Sequence, residues 1–452
     1  MALRVVYAIA IACGVAGGAC TCSKANDSAS DASTASSANP TGAGEAAAGD
    51  TSAVAEPGGL SAPIAAARSD NGDVVVAGLD VPAKAIRVQR INAKDEVVAD
   101  RIVFDDLKWS SESELKMAPA NGGVAITWRG LRGGKLVRQM LVLGSDLAPK
   151  GTPHDVAAAS CATREAIWFS DGKRAHARPW IGKETRVELP KEKDAVLVCA
   201  AARAFALLDE EDGTSVILLG GGDAGASTGD AGHGSAPISL LEEKQFGDDD
   251  QRERAEYTAG DDLGVVRLAT SGALTLREVR AGAPGPVHKL KTIIPRDDDV
   301  VATDASSKIA LIVFTEDASE KCSGEGGVTT ASTKVKALRV DRATFEESVV
   351  DISPGGCGRE LGPFFTSALG DAVSVAWVER IPVAGKPRAP IAGLAHRRVP
   401  SAGVPADLIR IDQPADALVD AACDGNRCYA VALARHAGMD AMVPGLARVL
   451  RY

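Results

Sequence analysis

Short apolar runs, broken by Gly, Asp, Asn or Ser, recur along most of this chain. In the stretch Cys423–Leu433, CDGNRCYAVAL, a small residue ends one run, a polar turn follows and an alternating apolar run leaves. Alternation over a few residues is the signature of a β-strand. Counting six residues from Cys423 to Tyr429 gives a ruler. It also fits Arg68 to Val74, Ala118 to Val124, Cys161 to Ile167, Cys199 to Phe205, Ala259 to Val265, Thr303 to Ile309 and Ser367 to Val373. The eight hairpins so marked begin 38 to 64 residues apart. Recurrence at this spacing with a constant offset predicts stacked equivalent units.

Within a unit the runs come in fours. The first reads APIAAARSDNG, DVVVAGLD, AIRVQRIN and EVVADRIVF, with Asn71-Gly72 as its hairpin turn. Asn and Gly suit such turns because both tolerate positive φ. The second repeats the plan around Asn121-Gly122. The eighth unit lacks a fourth run. Either the residues just before Ala62 supply it and close a ring, or there are seven units and one degenerate copy. Four-stranded units near 50 residues long resemble the blades of propellers of the YVTN or WD type. The resemblance is architectural, over about 60–452, because no Trp-Asp dipeptide occurs. It implies an all-β fold, a β-propeller of seven or eight four-stranded blades. The competing arrangement is a pair of β-sandwiches.

The two ends of the chain differ. Residues 1–19 carry Arg4, an apolar run Val5–Val15 and the small residues Gly17-Gly18-Ala19, the layout of a signal peptide and too short for a membrane span. Cys20 then sits where a lipoprotein carries its acylated cysteine. The site resembles a bacterial lipobox, with Gly17 in place of the usual Leu, and the alternative is plain cleavage after Ala19. That resemblance implies a palmitate-type anchor on Cys20 and, with Thr21 following, the outer membrane. Residues 20–60 are Ala, Ser, Gly, Asp and Thr with no aromatic, and cannot bury enough surface to offset their ordering entropy. They read as a disordered tether holding the domain about 35 Å from its anchor. Residues 61–452 form the propeller domain, with a low-complexity loop insert at 220–235.

Composition narrows the function classes. A net charge of −10 argues against nucleic-acid partners, which select basic stripes. An aromatic share of 4% predicts blades packed by small and β-branched residues. Of nine cysteines, six lie in the domain, an even number that favours disulfides in an exported chain. Cys423 and Cys428 flank DGNR and should face each other across a hairpin. Cys322 and Cys357 are the second expected pair, tying a long excursion. Cys161 and Cys199 share one ruler position in adjacent units. Equivalent positions point the same way round a ring, so these two stay open between a bridge and two buried thiols.

Catalytic chemistry finds little support. Gly225–Gly229 matches G-x-S-x-G around Ser227, but inside low-complexity sequence without the strand-to-helix turn the mechanism needs. The six histidines show no metal-ligand spacing and read as exposed or loop residues. The runs Asp248–Asp250 and Asp297–Asp299 lack the Gly punctuation of a calcium loop and read as solvated turns. Trp128, Trp168 and Trp377 fall in apolar strands and read as core. No catalytic, metal or cofactor residue is assigned. The expectation is a monomeric, envelope-anchored, non-enzymatic binding or scaffold propeller, with a protein or glycan partner on one face. The alternative is a hydrolase- or lyase-type enzyme with its site in the central funnel.

Overall fold

Strands buried on both faces lose the simple apolar/polar alternation and become continuous apolar runs. Val74–Asp80, Ala166–Ser170 and Asp262–Ala269 are of this kind, and each is the second strand of its antiparallel blade, within a seven-stranded sheet that joins blade 8 to blade 1, a four-stranded sheet and a five-stranded sheet respectively. The computed structural model describes residues 60–451 apart from connecting segments, the longest being 106–112, 222–237, 243–250 and 435–445. It is an eight-bladed β-propeller. The blades span 61–104, 114–155, 159–188, 195–242, 251–293, 300–353, 360–414 and 417–451. The signal peptide, Cys20, the tether as far as residue 59 and the 220–235 insert, apart from Gly220 and Gly221, lie outside the described residues.

Each blade presents one face to the preceding blade and the other to the following one. Among the described residues nine apolar clusters fill the eight junctions, two of them between blades 2 and 3. In the second strand of blade 6, Ile309, Leu311 and Val313 pack with Trp377 and Val375 of blade 7. The intervening Ala310, Ile312 and Phe314 pack with Leu274 and Leu276 of blade 5. Period-two geometry divides one apolar run between two junctions. The junctions are unequal. That between blades 2 and 3 is small: Met140, Val156, Ile167 and Phe169 form one cluster, and Ala120, Ala125 and Val142 form another on the same face of blade 2.

Closure is by the N-terminal residues of the domain. Leu60 is fully buried between blades 8 and 1. Ser61 pairs with Leu446 on the third strand of blade 8 before the chain enters the first strand of blade 1, Ser61–Arg68. The ring therefore has eight members.

The ruler marks the hairpin between first and second strands in every blade, but its register is not constant. Ala118 lies opposite Ala125, Cys199 opposite Ala204 and Ala259 opposite Asp262. A one-residue slip turns a side chain to the other face of its sheet. Accordingly Val74, Val124, Ile167, Val265 and Val373 face the preceding blade, whereas Phe205, Ile309 and Tyr429 face the following one.

Candidate functional site

The first strands ring the central channel, and the turns that leave them gather at one end of it. Over blades 1 to 4 these turns surround a cavity of about 670 Å³. Its wall comes from Arg68 and Ser69, Pro119–Asn121, Ala162, Thr163 and Glu165, and Ala200 and Ala201. The hydroxyls serve their own turns. Ser69 Oγ donates to Asn71 Oδ1 at 2.6 Å, and Thr163 Oγ1 accepts from the Ala166 N–H at 3.1 Å. Asn121 and Glu165 are exposed, and Arg68 is half-buried. The mouth is thus a wide bowl of small residues with a guanidinium on one side and a carboxylate on the other.

One side of the bowl is covalently held. Cys161 and Cys199, on the first strands of blades 3 and 4, form a disulfide with a Cα–Cα distance of 5.6 Å. The open question about this pair resolves to a bridge because of the register slip. Cys161 lies opposite Trp168, which faces blade 4, and Cys199 lies opposite Ala204, which faces blade 3. Equal ruler positions thus point toward each other, not the same way round. Cys423 and Cys428 are bridged as expected, directly opposed across their hairpin with Cα atoms 4.0 Å apart. Cys357 lies outside the described residues, so the Cys322–Cys357 pairing does too.

Two carboxyls sit on the first strands of blades 6 and 8. Burial pushes Asp304 up to about 7, against one hydrogen bond from the Ala305 N–H. Burial likewise pushes Asp420 up to about 6, against hydrogen bonds from Tyr429 and the Ala421 N–H. Between them, on the first strand of blade 7, Thr366 Oγ1 donates to Thr303 O at 3.2 Å and Ser367 Oγ accepts the Cys423 N–H at 2.9 Å. These side chains bind neighbouring first strands together.

The strongest electrostatics is structural. Glu278, 3% exposed in blade 5, accepts from Tyr257 Oη at 2.7 Å, Arg342 Nε at 2.6 Å and Arg280 Nε at 2.5 Å. Burial pushes the carboxyl up, but the bonds from Arg342 and Tyr257 outweigh it and hold it below its ordinary value. Tyr257 reaches Glu278 past Gly264, where a Cβ would stand 2.1 Å from the phenol ring. Arg342 also donates to Asp262 and to the Ser306 carbonyl, joining blade 6 to blade 5. In blade 7, Glu379 is held between Arg359 and Arg410.

An arginine device repeats around part of the ring. In four blades an arginine in the third strand reaches the first residue after the third strand of the next blade. Arg451 donates to Asn92 O, Arg90 to Ser145 O, Arg280 to Arg342 O, and Arg339 to Pro400 O. All four lie in R-x-x-R, as the second arginine of Arg448–Arg451, Arg87–Arg90 and Arg277–Arg280 and as the first of Arg339–Arg342; the pattern also occurs at Arg129–Arg132. The shared register of the first three was legible in the sequence, and the hydrophobic ruler passed over it. Blades 2 and 4 end their third strands on LVLG and LLGG, without arginine.

Three histidine expectations need correction. His288 opens the strand His288–Ile293, half-buried and stacked on Phe345 with ring centroids 3.3 Å apart. His176 is 7% exposed, with Nδ1 2.9 Å from Glu184 and Nε2 2.9 Å from Asp171. Burial raises the Asp171 carboxyl, but His176 and the N–H groups of Lys173 and Arg174 hold it at about 2. His396 is 8% exposed and desolvation lowers it to about 4. His176 and His396 stand in paired strands and are buried between blades, where the sequence reading predicts exposed or loop residues. His154 is exposed on the rim; His233 and His436 lie outside the described residues. Trp128, Trp168 and Trp377 are core, at 1%, 7% and 0% exposure. Asp298 is 3% exposed, so that run is only partly solvated, while Asp248–Asp250 and Ser227 lie outside the described residues.

Fold and mouth together define an eight-bladed β-propeller with one open, bowl-shaped end. No family model matches the chain, and no curated protein matches it in sequence. Among solved structures it is similar to the WD40 domain of SCAP from fission yeast, at 9% identity and TM-score 0.45, covering 87% of this chain and 95% of that one. It is also similar to a post-proline cleaving enzyme from Rickettsia typhi, at 8% identity and TM-score 0.44, covering 81% of this chain and 57% of the enzyme. A third is apo AztD from Citrobacter koseri, at 12% identity and TM-score 0.39, covering 77% and 86%.

Proposed function

We propose that this chain is a non-enzymatic binding or scaffold module of the bacterial envelope. A lipid on Cys20 anchors it at the outer membrane, the 20–60 tether displays it, and the propeller engages a protein or glycan at its open mouth. The observation that carries the reading is the bowl of about 670 Å³ over blades 1 to 4. Its size falls among ligand-binding clefts, and its wall offers Arg68, Asn121 and Glu165 at separated points rather than one converging acid–base pair. The buried Glu278 and Glu379, away from the bowl, are neutralised by arginines, Glu278 across the junction of blades 5 and 6 and Glu379 within blade 7.

The test has two arms. A photo-crosslinking residue at Glu165 should trap an envelope component, whereas one at Val349 on the outer edge of blade 6 should not. Equal trapping at both positions would remove the mouth from the reading. Radioactive palmitate should label the wild type and not Cys20→Ala; equal labelling would remove the anchor.

A second reading, an enzyme with its site in the channel, is supported by Asp304 and Asp420, two carboxyls raised toward neutrality on first strands that flank blade 7. Hydrolase activity on a broad ester, peptide and glycoside panel that vanished in Asp304→Asn and Asp420→Asn together would establish it in place of the first.

A further inference from the structure

Which of the two disulfides among the described residues does more than stabilise? Cys423–Cys428 closes a single hairpin already held by its own ladder, with Cys428 buried at 4%. Cys161–Cys199 differs on every count. It joins two blades, both its cysteines are half-buried, and each immediately precedes a residue of the bowl, Ala162 and Ala200. It also belongs to a blade of short strands whose other flank, toward blade 2, is thinly packed. Blade 3 has the short strands Ala159–Ala162, Ala166–Ser170, Arg174–Pro179 and Thr185–Glu188. Its flank toward blade 2 is the small cluster of Met140, Val156, Ile167 and Phe169, beside the small Ala120, Ala125 and Val142 group. Its third-strand arginines, Arg174 and Arg178, are turned to Glu188 and Glu184 within the blade.

We propose that the Cys161–Cys199 disulfide is a redox latch on the channel mouth. A dithiol reductant, such as a thioredoxin-type protein, attacks one sulfur with a thiolate. This forms a mixed disulfide and releases the other cysteine as a thiol. The second thiol of the reductant then displaces the remaining cysteine and leaves as a disulfide. Two electrons and two protons pass to Cys161 and Cys199, and the reductant is oxidised by the same amount. Freed of its covalent link, blade 3 keeps only its apolar cluster with blade 4 and opens locally, while blades 5 to 7 stay closed, because their junctions add the charged clamps of Arg280, Arg342 and Arg339 to their apolar cores. Local opening of a weakly held unit below the global unfolding free energy is ordinary behaviour. The bowl widens on the blade 3 side, so the latch governs access to the site proposed above; it rests on that reading only for its purpose.

The test needs no ligand, so its failure is separable from failure of the binding role. Hydrogen exchange of the full chain is followed with and without dithiothreitol, with free thiols mapped by mass spectrometry. Cys161 and Cys199 should be reduced before Cys423 and Cys428. Exchange in 159–188 should then rise about tenfold, with 300–353 unchanged. Cys161→Ser with Cys199→Ser should show the fast exchange without reductant, and Cys423→Ser with Cys428→Ser should leave 159–188 slow. Unchanged exchange in 159–188 after reduction would overturn the latch, and so would simultaneous loosening of all blades. Should the double serine variant fail to fold, the reduction series on the wild type decides alone.

Discussion

Blades 5 to 7 and blades 2 to 4 are built from the same four-stranded unit, yet they are held in different ways. At the junction of blades 5 and 6, Leu274, Leu276, Ile312 and Leu338 pack with Tyr257, whose hydroxyl ends on Glu278. Arg342 adds a charged tie to blade 5, and Arg280 clamps the next turn. At the junction of blades 6 and 7, Arg339 spans to the carbonyls of Pro400 and Gly403 at 2.9 and 3.0 Å. In blades 2 to 4 the third strands of blades 2 and 4 have no arginine at their ends, the apolar contact at the blade 2/3 junction is small, and the large apolar cluster between blades 3 and 4 is tied by a disulfide rather than by charge. The difference teaches how a ring can be firm on one side and adjustable on the other. Buried ion networks need every partner in place, whereas one covalent link is conditional on redox state. The adjustable side is also the side that carries the bowl.

The comparison can be broken from either side. Glu278→Ala would leave Arg342 and Arg280 without their shared carboxylate in a buried junction, and should cost about 3–5 kcal/mol in urea unfolding. A loss below about 1 kcal/mol would show that the apolar cluster alone holds blades 5 and 6 together. Removing the Cys161–Cys199 link should cost about 4 kcal/mol by loop-closure entropy, against about 2 kcal/mol for Cys423–Cys428. The ranking follows from sequence separations of 38 and 5, and calorimetry that reversed it would deny the inter-blade link its role. Arg339→Ala removes a charged donor from two carbonyls and should cost about 1–2 kcal/mol, with faster exchange confined to the 400–403 turn.

The smallest effect is a pH effect with a definite sign. Asp304 has its folded-state value raised by burial to about 7, so the folded state holds the proton more tightly than the unfolded chain. Stability from this group is full at acid pH and is lost as pH rises through about 7. Asp304→Asn should therefore melt about 2 °C higher than wild type at pH 8, a gain that shrinks on going to pH 5. His396 works the other way. Its lowered value, about 4, makes its contribution present above its ordinary range and lost as pH falls toward 4. A melting-temperature profile of each variant against pH separates the two.

Much of the architecture was legible before any coordinates. The small-to-apolar step at Cys423, and its recurrence, located all eight hairpins, because a hairpin needs a turn residue followed by a run that can be buried. The tryptophans at 128, 168 and 377 were readable as core, since each stands in an apolar run. The bridge across DGNR was readable because four intervening residues leave two cysteines directly opposed. The mouth was less legible. Arg68, Asn121, Ala162 and Ala200 are separated in the chain and share no motif. The clamps were present in the letters as R-x-x-R, unread because a hydrophobic ruler ignores charged positions.

What the sequence by itself determined is the local grammar: how many hairpins there are, where they turn, and which runs are apolar enough to lie between two sheets. Period-two alternation and turn chemistry act over a few residues, so they are written where they act. Only the tertiary structure decided which face each strand turns to which neighbour. A slip of one residue reverses that face, and a count along the chain does not register the slip. Cys161 and Cys199 meet, Leu60 and Ser61 close the ring, and Glu278 finds Arg342 for the same reason. Each pairing joins residues that chain distance keeps apart and ring closure brings together.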